Sequence, residues 1–284
     1  MKLFKIFSYA LRKKIIINPD IFIDSILVDN RQKTANGNIL IICSEGNAGF
    51  YEFGLPNIPI KTGFSVLGWN RPGFGASSGY PSPDHERESI YTLITYAKYI
   101  LKYEKVYLFG WSIGGFPTTV GANLLTHDKK ENLVDGIILD ATFDEIKPMI
   151  GSVLPKILVP VGAKIVHQEW NLNVKDELLN YPGPVLFYRR VRDEIIATGG
   201  PNRPDTNRIN WLVFEYVVKK FNYDKSEDKE ILTWLWSYIT STEYSRLPPE
   251  GEKQKKLAKF LTERFIDLNK GHNDQFDPRT FVLP

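Results

Sequence analysis

Short apolar runs alternate with longer mixed stretches through most of the chain: ILIIC (39–43), FSVLGW (64–69), VYLFG (106–110), GIILD (136–140) and PVLFY (184–188). Each is rich in branched or aromatic side chains and is apolar at successive rather than alternate positions. A strand with one wet face alternates, whereas a strand covered on both faces does not, so these runs read as interior strands. The spacing predicts helices over 86–101 and 116–125, in the gaps between the second, third and fourth runs. Strand and helix in turn imply an α/β fold, a mostly parallel sheet with helices on both faces.

Two stretches break the rhythm and read as helical insertions. Over about 145–181, Met149, Ile150, Val153, Leu154, Ile157 and Leu158 recur at helical spacing before Pro160, which makes this insertion a lid candidate. Over about 199–270, a second insertion carries Trp211, Phe214, Tyr216, Trp234, Trp236 and Tyr238, most of them expected in the core. The opening MKLFKIFSYALRKK is amphipathic when wound as a helix: Leu3, Phe4, Phe7 and Leu11 share one face, while Lys2, Lys5 and Arg12 crowd another. Residues 1–14 are expected either to lie on a membrane surface or to pack on their own domain. With 284 residues, 43% of them hydrophobic, the chain has material for one large core and is short for two. The organisation read from these patterns is a basic amphipathic segment over 1–20 and a single domain over 21–284 that carries both insertions.

Charge removes one class of partner. Thirty-six basic residues stand against 33 acidic ones, a net charge of +3, so nothing in the balance points to nucleic acid. The only cysteine, Cys43, sits inside an apolar run, which allows no internal disulfide and fits a reducing compartment. No stretch reaches the roughly 18 consecutive apolar residues of a membrane-spanning helix, and no secretory signal is present. The expected location is cytoplasmic, with the basic start as a peripheral membrane contact.

The chemistry begins where VYLFG runs into Trp111 and Ser112, giving G-x-S-x-G at Gly110, Ser112 and Gly114. Such an elbow holds its serine in a strained turn between strand and helix, where neighbouring side chains would clash. Serine is a weak nucleophile without a base. Of four histidines, His85 precedes the serine, against the usual order of serine, acid and histidine in such sites. His127 is carried away along the helix after Ser112, and His167 lies in the first insertion ahead of the best acid. His272 remains as the base, in GHND after the apolar 265–268 that reads as the last strand. The acid, which holds the imidazole tautomer, is expected after a strand next to the nucleophile strand. Asp193 in RRVRDEII is favoured, and Asp140 at the end of GIILD is the alternative; Glu194 is set aside because adjacent loop residues rarely point the same way. Two backbone donors would complete the site: the amide of Ile113, and the amide of Asn47 in the loop 45–49. This is the constellation of a serine hydrolase, for which no cofactor and no metal is expected.

Longer stretches carry a family resemblance. EGNAGFYE (45–52), SVLGWNRPGF (65–74), WSIGGF (111–116), ILDATFD (138–144), NLN (171–173), PVL with RDEII (184–186, 192–196) and the histidine before FVLP make residues 38–284 similar to the family of alpha/beta-hydrolase-domain-containing protein sixteen, the phosphatidylserine lipases. The resemblance implies the alpha/beta-hydrolase fold, a lipid as partner, and hydrolysis of acyl esters of phosphatidylserine and monoacylglycerols. It also matches Ser112 to the family's nucleophile, Asp193 to its acid and His272 to its base. This chain departs from the animal members at the N-terminus, where they look membrane-spanning. Three alternatives stay open: a serine peptidase or thioesterase on the same scaffold, a silent scaffold, and transacylation through Ser112, since His272 and Asp277 form the H-x-x-x-x-D pattern of glycerolipid acyltransferases.

Overall fold

All five apolar runs are strands in the computed structural model, which describes residues 10–125, 131–149, 172–242 and 250–284. The strands are β1 (Leu11–Asn18), β2 (Ile21–Val28), β3 (Ile39–Ser44), β4 (Ser65–Trp69), β5 (Lys105–Trp111), β6 (Gly136–Asp140), β7 (Val185–Arg190) and β8 (Phe265–Leu268). The helices are α1 (Asn57–Lys61), α2 (Pro83–Thr95), α3 (Gly115–Ala122), α4 (Val174–Leu179), α5 (Ile209–Lys220), α6 (Lys229–Thr240) and α7 (Glu252–Arg264). The chain divides into two compact units, Met1–Ile138 with Phe276–Pro284, and Leu139–Gln275, and passes from one to the other within β6.

In the first unit the strand order is β1-β2-β4-β3-β5-β6. β3 runs parallel to both β4 and β5, with Leu40 opposite Ser65 and Val106. Leu40, Ile41, Ile42 and Cys43 are all fully buried, which is why their run does not alternate. Each such side chain contributes about 1.5–3 kcal/mol relative to exposure. The predicted helix over 86–101 is α2 followed by a single π turn at Tyr96–Ile100, and Ser82 caps its first turn through the His85 amide.

The amphipathic helix expected over 1–14 is overturned for its last residues. Residues 1–9 lie outside the described residues, while Leu11 opens β1, which pairs antiparallel with β2. The reason is local: the branched run Ile15-Ile16-Ile17 favours a strand, and Asn18 Oδ1 accepts the amides of Asp20 and Ile21 at 3.1 and 3.0 Å, turning the chain back. Leu11, assigned to the apolar face of a helix, is 54% exposed, and Arg12 pairs with buried Asp24 at 2.7 Å.

In the second unit the order is β6-β7-β8, and β7 and β8 are parallel with Phe187 opposite Phe265. Arg189 is fully buried on β7 and binds both oxygens of Asp267 on β8, at 2.7 and 2.6 Å, together with the carbonyls of Ile239 in the last turn of α6 and Ser241 just after it. Of the six aromatics, most of which are expected in the core, Tyr216 and Trp234 are buried. Trp211, Phe214 and Trp236 instead stack edge to face between α5 and α6, half-buried, with centroids 4.9 and 5.5 Å apart. The lid candidate at 145–181 lies largely outside the described residues, which include only 145–149 and 172–181 of it.

Candidate active site

β5 ends at Trp111, and Ser112 begins a tight 3-10 turn that leads into α3. Ser112 has φ +55 and is buried. A serine gains nothing from that left-handed backbone, which costs on the order of 1–3 kcal/mol and is typical of a nucleophile elbow. The flanking glycines are required by space: a Cβ on Gly110 would overlap the Thr118 hydroxyl, and one on Gly114 would overlap the carbonyl oxygens of Ser44 and Glu45. The second contact also packs the elbow against the end of β3, where the loop 45–49 begins. Gly46 of that loop lies flat on the Trp111 ring, which a Cβ would approach to 2.6 Å. Asn47 itself is exposed, next to Ala48 at φ +54, and Gly49 closes the turn on the Gly46 carbonyl at 3.1 Å.

Glu45 stands at the root of this loop and has no role in the sequence reading. Its side chain is folded inward, with Oε1 accepting the Leu55 amide at 2.6 Å and Oε2 buried without a hydrogen bond among the described residues. Burial, with a smaller push from the Glu52 carboxylate, raises its pKa from 4.5 to about 8. Between pH 4.5 and about 8 the folded chain therefore holds a proton that the unfolded chain has released, and stability falls as pH rises across that window. Glu45→Gln keeps the acceptor for Leu55 and has no charge to bury. At pH 8 the variant is expected to be more stable than the parent, by on the order of 5 kcal/mol at most, and so to unfold at a higher temperature, with the gap closing toward pH 4.5. Parallel unfolding curves for the two proteins from pH 4.5 to 9 would contradict this.

In the second unit, the turn after β7 carries Asp193, fully buried, and the loop after β8 carries His272, 4% exposed. His272 Nδ1 lies 2.8 Å from Asp193 Oδ2. A carboxylate only accepts, so Nδ1 holds a proton, and in the neutral ring this leaves Nε2 as the acceptor nitrogen. The other oxygen, Asp193 Oδ1, accepts the amides of Ile195 and Ile196 at 2.9 and 2.8 Å, which fixes the carboxylate plane. Glu194, set aside from sequence, turns to the same loop after all: its Oε2 accepts the His272 amide at 2.9 Å and leaves the ring to Asp193.

The remaining candidates fall elsewhere. Both Asp140 oxygens are bound by Arg190, at 2.9 and 2.6 Å, and not by a histidine. Asp277 of the acyltransferase-like pattern caps the turn at Pro278–Thr280 and pairs with Arg279 at 2.7 Å. His85 faces the Tyr80 carbonyl at 2.9 Å, and His127 and His167 lie outside the described residues. Cys43 is buried, which pushes its thiol pKa up. Among the described residues no group of three or more histidine, cysteine or acidic side chains is placed to hold a metal ion, and no helix is long and apolar enough to cross a membrane.

Residues 39–158 match the family model described as alpha/beta hydrolase fold. Phosphatidylserine lipase ABHD16A of Bos taurus is 38% identical over 218 residues, 75% of this chain and 38% of that protein. An uncharacterized protein of Caenorhabditis elegans is 34% identical over 257 residues, 86% of this chain and 52% of its own length. The chain thus spans about half the length, or less, of these relatives. Among solved structures, an esterase of Pyrococcus furiosus superposes with a TM-score of 0.57 at 13% identity, over 92% of each chain. An alpha-beta hydrolase of Vibrio vulnificus gives 0.53 at 15% identity, over 90% of this chain and 80% of its own. At such identities the likeness is one of fold.

Proposed function

We propose that this chain, which has the alpha/beta-hydrolase fold, hydrolyses acyl esters of lipids, phosphatidylserine-type phospholipids and monoacylglycerols, through an acyl-enzyme on Ser112. The observation that carries this reading is the backbone of Ser112, a non-glycine residue at φ +55 on the turn from β5 into α3. In the reaction, Ser112 Oγ attacks the ester carbonyl carbon while His272 Nε2 takes its proton, and Asp193 holds Nδ1–H and stabilises the imidazolium. The amides of Ile113 and Asn47 receive the developing oxyanion. Collapse expels the alcohol, which takes the proton from His272, and a water activated by the same nitrogen releases the fatty acid. The lipid class is supported by the relatives named as phosphatidylserine lipases, with which 218 residues are aligned.

The direct test is to incubate the purified protein with a mixed lipid extract and identify by mass spectrometry which species lose an acyl chain. Lysophospholipid and free fatty acid should appear, and should be absent with Ser112→Ala. Lipids left intact while a peptide or thioester is cleaved would move the function to the same scaffold's other chemistries.

Peripheral contact with an anionic membrane belongs to the same proposal. Lys13 and Lys14 on β1 are exposed beside Leu11 and Ile16, the latter 73% exposed. Each basic residue near such a surface contributes about 1 kcal/mol. The double variant Lys13→Gln, Lys14→Gln is expected to bind phosphatidylserine vesicles about 30-fold more weakly, while hydrolysing a short soluble ester at the parent rate. Raised salt should reproduce part of the loss. Equal losses on vesicle and soluble substrate would give these lysines to the stability of the hairpin instead.

A further inference from the structure

Arg190 is the last residue of β7 and is 3% exposed, yet the reaction just described does not use it. Its Nε and Nη2 bind the two oxygens of Asp140 at 2.9 and 2.6 Å, a side-on fork against the last residue of β6. The two hydrogens of its Nη1 serve three carbonyls of one loop, one of them shared: Gly271 at 3.2 Å, His272 at 2.5 Å and Asp274 at 2.8 Å. Three carbonyl dipoles turned toward one point repel one another, so this loop shape needs a buried cation at its centre. A buried ion pair by itself adds little stability over apolar packing. What the pair adds here is geometry, because the planar guanidinium fork reaches the carboxylate and the carbonyls at fixed angles that an ammonium does not reproduce.

We propose that Arg190, braced by Asp140, is a positioning residue for catalysis: it fixes the backbone of the 271–274 loop and thereby the place and tilt of the His272 ring. This rests on the reading of His272 as the general base. The histidine is then held from three directions. Glu194 takes its amide, Arg190 takes its carbonyl, and Asp193 takes its ring Nδ1. The loop closes on itself through Asp274, whose Oδ2 accepts the Gly271 amide at 2.7 Å. Asp140, the alternative acid of the sequence reading, acts one step away from the ring, through the arginine.

The test is Arg190→Lys, which keeps the charge and loses the fork. On a soluble ester, kcat is expected to fall by about a hundred-fold, the order of loss that a misplacement near 1 Å brings, with KM within about two-fold. The far-downfield proton resonance of the His272 Nδ1–H bond to Asp193 should broaden or vanish, while circular dichroism stays that of the parent. Asp140→Asn should move the same readouts in the same direction, and the double variant should be no worse than Arg190→Lys alone, because the pair works as one unit. A folded Arg190→Lys protein with parental kcat and an unchanged resonance overturns the proposal. If Arg190→Lys does not fold, Asp140→Asn decides by the same readouts, and loss of folding in both assigns the pair to stability and also overturns it. His272→Ala in the same assay separates the two claims: an active His272→Ala protein refutes the base assignment, whereas an inactive one beside a fully active Arg190→Lys protein refutes the positioning role alone.

Discussion

Replacing Ser112 with alanine is expected to lower turnover on ester substrates by about a million-fold, the order seen when a triad nucleophile is removed elsewhere. The residue is buried and sits on a backbone at φ +55 that alanine tolerates no worse than serine. The fold should therefore survive and the loss should be chemical. Without Oγ there is no covalent step, and what remains is the backbone donors acting on a bound ester and a water. Labelling by a fluorophosphonate should vanish in parallel, since it reports the same oxygen. Turnover within a hundred-fold of the parent would place the nucleophile elsewhere.

Asp193→Asn is expected to cost about ten-thousand-fold in turnover, by analogy with the same change in a serine protease triad. An asparagine here can still accept the amides of Ile195 and Ile196 through its Oδ1, so the turn after β7 keeps its shape. Its NH2 group then faces His272 Nδ1 across what is a 2.8 Å hydrogen bond in the parent. Two donors do not pair, so the ring must offer a lone pair at Nδ1 and carry its proton on Nε2, the nitrogen that has to accept from serine. Asp140→Asn should do far less, because it acts only through Arg190. If steady-state rates ranked the two variants the other way, the acid would lie on β6.

How much of this was legible beforehand follows from the physics of each part. β3 to β7 announce themselves because strands covered on both faces carry runs that are apolar at successive positions. The elbow is legible because its glycines and serine are contiguous and follow such a strand. Asp193 and His272, 79 residues apart, are found through chain order and the identity of their neighbours. The first residues of β1 read as the end of a helix because Leu11 falls at helical spacing from Phe7, and β2 draws no reading because Asp24, buried under Arg12 and Tyr51, interrupts its apolar run. Arg190 escaped notice because a pair of arginines at a strand end looks like solvated charge. Its role depends on carbonyls more than 80 residues away, and backbone carbonyls leave no trace in side-chain identity. The same holds for Glu45, whose partner is the amide of Leu55. In both cases the available signal was a charged residue at the edge of a fully apolar run.

The most direct measurement is intact-protein and peptide mass spectrometry after rapid acid quench of the enzyme turning over a phosphatidylserine or monoacylglycerol substrate. An acyl adduct of the substrate's fatty-acid mass should appear on the peptide containing Ser112, rise before free fatty acid does, and be absent from Ser112→Ala. Fatty acid released with no adduct on that peptide, or with an adduct on another residue, would contradict an acyl-enzyme at Ser112.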